Sequence, residues 1–597
     1  MAGNDFSNFA DLLGNFGGGD DDEDDVVEAV GGDEAVAPDE EVDPGDYLGG
    51  ARAIIDARPD GFGPMAHGPK RYEDVESEEM ELISSFRVRT IFPADVLAET
   101  DILPNDPPAA DYEGVEYRQD LRKERIFTID GSDAKDFDDA ICIREVEGGV
   151  EVSVHIADVS HYVCPGTALN AEALARATSV YVADQVVPML PEKLSNGLCS
   201  LVPGRDRLVF SVFMTFDAKG KRTGYYLAKS VINSFRRCTY KQVQELLDDV
   251  DNEDTQKIAD LKPDLELFQT WTKQQQTIRD RKGSLRMQSK ERKFKFDAQG
   301  DVEKIYFADN YFSQTLIEET ALAANQAVGD FFKANGLPTI YRVHPEKDPE
   351  EVAEVIEMLE KFNVRVPKKE RLTGRDIGAM VRYARRLANA DTMIPRIMGL
   401  LERAVYEVQT EEDEAEHFGL AREHYLHFTS PIRRYPDLIV HRMLFEVLSR
   451  GEAAGADLKN PDKISDLFDV ASHSSTQAEV ASMVEIAVDD LKICQFMDPR
   501  IGEVHMAKVG RVNRGGFEID LQELSVKGYL SARSIGRVLK QDGPTITIQA
   551  RGGTKVFREG DQVEVEVQDV DFRRLQVFFA LAEKKKAKSN HKKKKKK

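Results

Sequence analysis

Residues 126 to 143, IFTIDGSDAKDFDDAICI, place five aspartates, Asp130, Asp133, Asp136, Asp138 and Asp139, between two short apolar runs. The flanks Ile126, Phe127, Ile129 and Ala140, Ile141, Ile143 read as two short strands, so the connection carrying the carboxylates is anchored in a core at both ends. Carboxylates a few ångströms apart raise one another's pKa, and a sheltered site cannot keep them all ionised without compensating positive charge. A hard cation, magnesium or alternatively manganese, suits a set made only of oxygen ligands. The plain alternative is a solvated acidic loop. The buried-looking flanks and the tight Gly131-Ser132 turn weigh against it.

A second stretch supplies the complement. In residues 424 to 442, HYLHFTSPIRRYPDLIVHR, Arg433 and Arg434 follow Ser430-Pro431 directly. Adjacent arginines behind a rigid turn aim a fixed fork of donors at a phosphate, which lysine does less specifically. Carboxylates for a metal and arginine for a phosphate together point to phosphoryl-transfer chemistry. The two stretches resemble the signature segments of the RNase II/RNase R (RNB) family of hydrolytic exoribonucleases, with wording nearer to ribonuclease R. The resemblance runs in separated motifs from about residue 76 to residue 450.

At 597 residues the chain is too long for one core and should form two or three domains plus tails. Five dispersed cysteines, Cys142, Cys164, Cys199, Cys238 and Cys494, with no C-x-x-C pair, argue against zinc ligation and a disulfide framework and fit a reducing cytosol. No signal segment is evident, and no apolar run approaches the ~20 residues that span a bilayer, so a soluble protein is expected; it is also expected to be cytoplasmic and monomeric. The net charge of -27 is unevenly spread: residues 1–47 carry 16 acids and no Lys or Arg, while residues 584–597 hold ten lysines. The body between the tails is still acidic, so any RNA must be gripped in a local groove.

The expected class is α+β, with a mixed catalytic sheet surrounded by helices and a small all-β barrel after it. Residues 1–47 are expected to be a disordered acidic tail, in which Phe6, Phe9, Leu12, Leu13 and Phe16 have helical spacing and could dock a protein partner. Residues 48–119 are too short for the two cold-shock barrels the family usually carries there. The catalytic domain is expected over 120–450, with strands at EVSVHIADVSHYV, LVFSVFMTFD and GYYLAKSVINS and helices at YKQVQELLDD and SQTLIEETALAANQAVGDFFKANG. A helical connector follows over 451–499. Residues 500–583, with about five strands including TITIQARGG, resemble an S1-type OB-fold. The lysine tail, 584–597, is expected to be disordered and to attract phosphate without sequence preference.

Carried over residue by residue, the resemblance implies that Asp130, Asp136, Asp138 and Asp139 hold the metal, with Asp138 the acid whose loss stops chemistry. Asp133 is given no role. Asp136, Asp138 and Arg433 form the catalytic set, Arg433 binding the scissile phosphate and Arg434 backbone phosphates. Tyr181 corresponds to the residue at the mouth of the terminal pocket, Tyr240 to one near the 3′ end, and Glu318 to a contact of the last nucleotide. Met287 stands near a position that is aromatic in ribonuclease II. In the barrel, Phe517 and Tyr529 occupy base-stacking places. His417, His424, His427 and His441 are too irregularly spaced for zinc. The function implied is processive 3′-to-5′ hydrolysis of single-stranded RNA, or of structured RNA with a 3′ overhang, to nucleoside 5′-monophosphates. The alternatives are a catalytically silent RNA-binding translational regulator and a phosphodiesterase acting on DNA or small nucleotides.

Overall fold

The computed structural model describes residues 77–582 apart from 184, 286–290, 346, 362–363, 365, 367–371, 373, 388–389 and 411–415. The acidic tail with its Phe6 to Phe16 motif, Met287 and the lysine tail lie outside the described residues. Between 77 and 117 the described chain forms short helices and no strand.

The catalytic frame is a seven-stranded mixed sheet. Its strands are β1 (Arg118–Asp120), β2 (Phe127–Asp130), β3 (Asp139–Val146), β4 (Gly149–Ala157), β7 (Asp206–Asp217), β8 (Arg222–Asn233) and β9 (Arg236–Thr239), in the order β1-β8-β7-β4-β3-β2-β9. A separate hairpin, β5 (Val180–Val182) and β6 (Gln185–Val187), carries Tyr181. Within the seven-stranded sheet only β1 with β8 and β2 with β9 pair in parallel. The central strands are apolar along most of their length, with Val152, Val154, Ile156, Val209, Phe210 and Val212 fully buried. Each such side chain contributes roughly 1.5–3 kcal/mol on leaving water; β7 reads as a near-continuous hydrophobic run, whereas β4 alternates Val and Ile with Glu151, Ser153 and His155.

Six helices place the site: α1 (Ala168–Arg176), α2 (Tyr240–Leu247), α3 (Lys262–Lys282), α4 (Phe312–Ala334), α5 (Tyr435–Arg450) and α6 (Pro461–Met497). Phe268 and Trp271 of α3 pack edge-on against Phe127 and Phe216 of the sheet. On α4, Gly329 leaves room for backbone to meet backbone, since a Cβ there would collide with the His424 carbonyl. That close approach sets the depth at which the 424–434 segment enters the core.

Strands Val504–Val512, Gly516–Leu521, Val526–Ser531, Gln562–Asp571 and Gln576–Leu581 close a barrel. The sequence reading places TITIQARGG in that barrel, whereas the structure puts Thr545–Ala550 in a separate three-stranded sheet with Gly536–Asp542 and Gly553–Arg558. Turns at both ends of that strand return the chain on itself, so its partners are its immediate neighbours.

Candidate active site

The aspartate loop leaves β2 at Asp130 and returns as β3 at Asp139. Its backbone is clamped from two sides. Ser200 Oγ accepts the Phe137 N–H at 3.0 Å and donates to the Lys135 carbonyl at 2.7 Å, and the Leu201 N–H donates to the Phe137 carbonyl at 3.0 Å. From the other side Arg237 Nη2 donates to the carbonyls of Gly131 at 2.6 Å and Ser132 at 3.0 Å. Nothing in the spacing of the acids signals Ser200 or Arg237, because both come from elsewhere in the chain.

Asp138 is buried, and its Oδ1 accepts the N–H of Ile432 at 3.0 Å. Its Oδ2 lies 3.5 Å from Arg433 Nε. Burial pushes the Asp138 carboxyl up to about 8, with Asp136 and Asp139 adding to the rise and Arg433 opposing it. Burial likewise raises Asp130 and Asp139, which also repel each other's charge, and Asp136. Asp133 is exposed.

Asp130 Oδ2 is buried without a hydrogen-bond partner. Four carboxylates with raised pKa values and an orphaned oxygen make a donor set that fits a hard divalent cation. Among the described residues no three His, Cys, Asp or Glu side chains converge closely enough to form a coordination sphere as they stand.

Arg433 reaches this cluster through backbone pairing. The Ser179 N–H donates to the Arg433 carbonyl at 3.0 Å, the Tyr435 N–H to the Ala177 carbonyl at 2.9 Å, and Thr178 bridges Arg434. Ala177 caps α1 in the left-handed region at φ 55°, which turns the chain toward that bridge. The same pairing delivers Tyr181. Tyr181 is 40% exposed as a residue, its hydroxyl lies 3.5 Å from Asp136 Oδ2, and its N–H donates to Glu485 of α6 at 3.0 Å. Glu485 sits in a segment read as a mere connector, and no local pattern marks it.

Tyr240 is the first residue of α2, whose start is fixed by a capping box between Thr239 and Gln242. Burial and the nearby charges of Asp139 and Asp130 push its phenol up. Glu318 on α4 is half exposed and held by Arg279 Nη2 at 2.8 Å, while its neighbour Glu319 is fully buried against the same guanidinium.

Side-chain placement bears on two further expectations. Arg434 is engaged by Asp437, with Nε to Oδ2 at 2.8 Å and Nη2 to Oδ1 at 2.7 Å. Asp437 is fully buried and also accepts the Ser430 N–H, so Arg434 braces the turn with the Nε–Nη2 edge of its guanidinium. Phe517 is fully buried in the barrel, 4.9 Å from the ring of Phe557, and presents no face to a base. Tyr529 is half-buried on the outer face, its hydroxyl donating to Asn513 Oδ1 at 2.9 Å. Of the histidines, His441 contacts the Phe428 carbonyl through Nε2 at 2.8 Å, and His427 Nδ1 lies 2.9 Å from Tyr406 Oη.

Residues 118–450 match the family described as RNB domain, and residues 498–581 match the S1 RNA binding domain. The chain is 35% identical over 498 residues to ribonuclease R of Thermotoga maritima, covering 82% of this chain and 68% of that protein. It is 33% identical over 504 residues to ribonuclease R 1 of Lactococcus lactis subsp. lactis, covering 84% of this chain and 60% of that protein. It also resembles RNase R of Mycoplasma genitalium, solved in complex with ribose methylated single-stranded RNA. That similarity has a TM-score of 0.73 at 25% identity and covers 85% of this chain and 78% of the other.

Proposed function

Because this chain belongs to the RNB family and its relatives are ribonucleases R, we propose that it is an exoribonuclease. It degrades single-stranded RNA from the 3′ end and releases nucleoside 5′-monophosphates. The observation that carries the reading is the convergence of Arg433 on Asp138 at 3.5 Å, with Tyr181 beside Asp136. An acid, a phosphate binder and a base-stacking ring from three distant segments meet on one clamped loop. All four family aspartates and Arg433 are present, which removes the reason to read the chain as catalytically silent.

In this reading Arg433, tethered to Ser430 Oγ at 3.1 Å, offers its remaining donors to the scissile phosphate and offsets the charge that grows there. A divalent cation held by Asp130, Asp136, Asp138 and Asp139 would supply the positive charge that activates water and stabilises the leaving 3′ oxygen. Asp138 keeps Oδ1 on the Ile432 N–H, so Oδ2 is the atom that orients the attacking water and accepts its proton. Tyr181 packs on the base at the pocket mouth, and Tyr240 and Glu318 line the path of the last nucleotides.

The M. genitalium complex supports RNA as the ligand. A cytoplasmic location is supported by five free cysteines. Among the described residues no helix is long and apolar enough to cross a membrane.

The test is incubation of the purified protein with 5′-labelled RNA and matching DNA in magnesium, manganese or chelator. RNA shortened one nucleotide at a time from its 3′ end, only with a divalent cation, is expected. Equal attack on DNA would instead favour a general phosphodiesterase, since the 2′-hydroxyl would then be irrelevant. RNA binding with no shortening in either metal would favour the silent regulator.

A further inference from the structure

Strands Arg292–Phe296 and Val302–Phe307 form an antiparallel hairpin outside the catalytic sheet. In its register Lys293 faces Tyr306, Lys295 faces Lys304 and Phe294 faces Ile305. Directly opposed residues share a face of the pleat, so Lys293, Lys295, Lys304 and Tyr306 lie together on one side and Phe294 and Ile305 on the other. The apolar side is buried in the same cluster as the barrel and the end of α6, with Phe517, Ile493 and Phe496. On the opposite side Lys295 and Lys304 are exposed, and Tyr306 is 41% exposed.

One end of this face lies toward the aspartate loop. The Lys293 ammonium lies within electrostatic reach of Asp133 on the aspartate loop, and Arg292 lies 3.9 Å from Asp489 of α6. The hairpin thus extends from the barrel core to the catalytic loop. Its outward face carries three lysines around one aromatic ring, the composition that tracks a ribose-phosphate backbone while stacking a base. Two acids are on the same surface: Glu291 pairs with Lys293 at 2.7 Å and Glu303 with Lys295 at 2.6 Å. Such exposed pairs contribute little to stability, so an incoming phosphate can take the place of either carboxylate.

We propose that this face is a binding track for single-stranded RNA upstream of the scissile bond, with Lys295 and Lys304 on backbone phosphates and Tyr306 stacked on a base. The proposal rests on the exoribonuclease reading and extends it to a segment with no assigned role. The test compares wild type with Tyr306→Ala and with Lys295→Ala/Lys304→Ala in the full-length protein. Affinity is measured in chelator, so that cutting does not enter, for RNAs short enough to fill only the pocket and for longer ones that reach the hairpin.

About tenfold weaker binding of long RNA is expected for either variant, with unchanged affinity for short RNA. The lysine variant should also show a shallower salt dependence, and Lys295→Arg/Lys304→Arg should restore the slope. Unchanged affinity for long RNA, or equal loss on short and long, would overturn the track. Cleavage is assayed separately with magnesium. A wild type that cuts nothing, yet shows the length-dependent loss, would remove the exoribonuclease reading and leave the track standing.

Discussion

Asp138 is held where its charged form is costly, since burial pushes its carboxyl up to about 8 and only Arg433 and the Ile432 N–H oppose the rise. Asp138→Asn removes that charge and keeps the shape, so the melting temperature should stay the same or rise. RNA binding should persist while cleavage falls by about three orders of magnitude or more, the pattern of an interaction made mainly in the transition state. Asp133→Asn is the control, because Asp133 is exposed. Near-normal cleavage by Asp138→Asn would falsify the assignment. The two arginines should separate just as cleanly. Arg433→Lys should lower cleavage with little effect on stability, because the side chain is 40% exposed. Arg434→Met leaves Asp437 buried without its partner, and thermal unfolding should show a loss of about 3–5 kcal/mol.

At the scale of elements, sequence legibility divides along the range of the interactions. The aspartate loop and the Ser430-Pro431-Ile432-Arg433 turn are readable because their apolar flanks, turn residues and charges are contiguous in the chain. The clamps Ser200, Arg237 and Glu485 are not, because each acts on a segment far from it in sequence. Phe517 belongs to the core although its place near a glycine turn suggests a base-stacking ring: Phe517, Ile519 and Leu521 alternate on one strand and all are buried, which marks the inner face of a barrel. Phe517→Ala should therefore cost about 3–5 kcal/mol of barrel stability. Tyr529→Ala should leave unfolding unchanged and weaken RNA binding about fivefold or more. A second buried device joins β1, β8 and the residue after β4, where Asp158 lies 2.8 Å from Arg118 Nη2 and 3.0 Å from Lys229 Nζ. Burial alone would raise the Asp158 carboxyl, but Lys229, Arg118 and His161 pull it well below the usual carboxylate range. A depressed carboxylate adds stability above its unfolded pKa and loses it as pH falls through its folded value. Asp158→Asn should accordingly lower stability at neutral pH and flatten the acid limb of a stability-against-pH curve.

Over the whole molecule, charge and packing assign different jobs to the carboxyl-terminal region. The barrel is not a detachable module, because its apolar cluster includes Phe294 and Ile305 of the hairpin and Ile493, Cys494, Phe496 and Met497 at the end of α6. Deleting residues 500–597 uncovers these side chains, so lower solubility and lower melting temperature should accompany any loss of RNA affinity. Deleting only residues 584–597 removes ten lysines and none of those apolar side chains. That shorter deletion should leave thermal unfolding and the cleavage rate on saturating short RNA unchanged. It should make the fall of log affinity with log salt shallower by about 0.7 for each phosphate of a single strand that the tail no longer neutralises. An unchanged salt slope would show that the lysine run does not touch RNA, and would leave capture to the hairpin lysines and to stacking on Tyr306 and Tyr529.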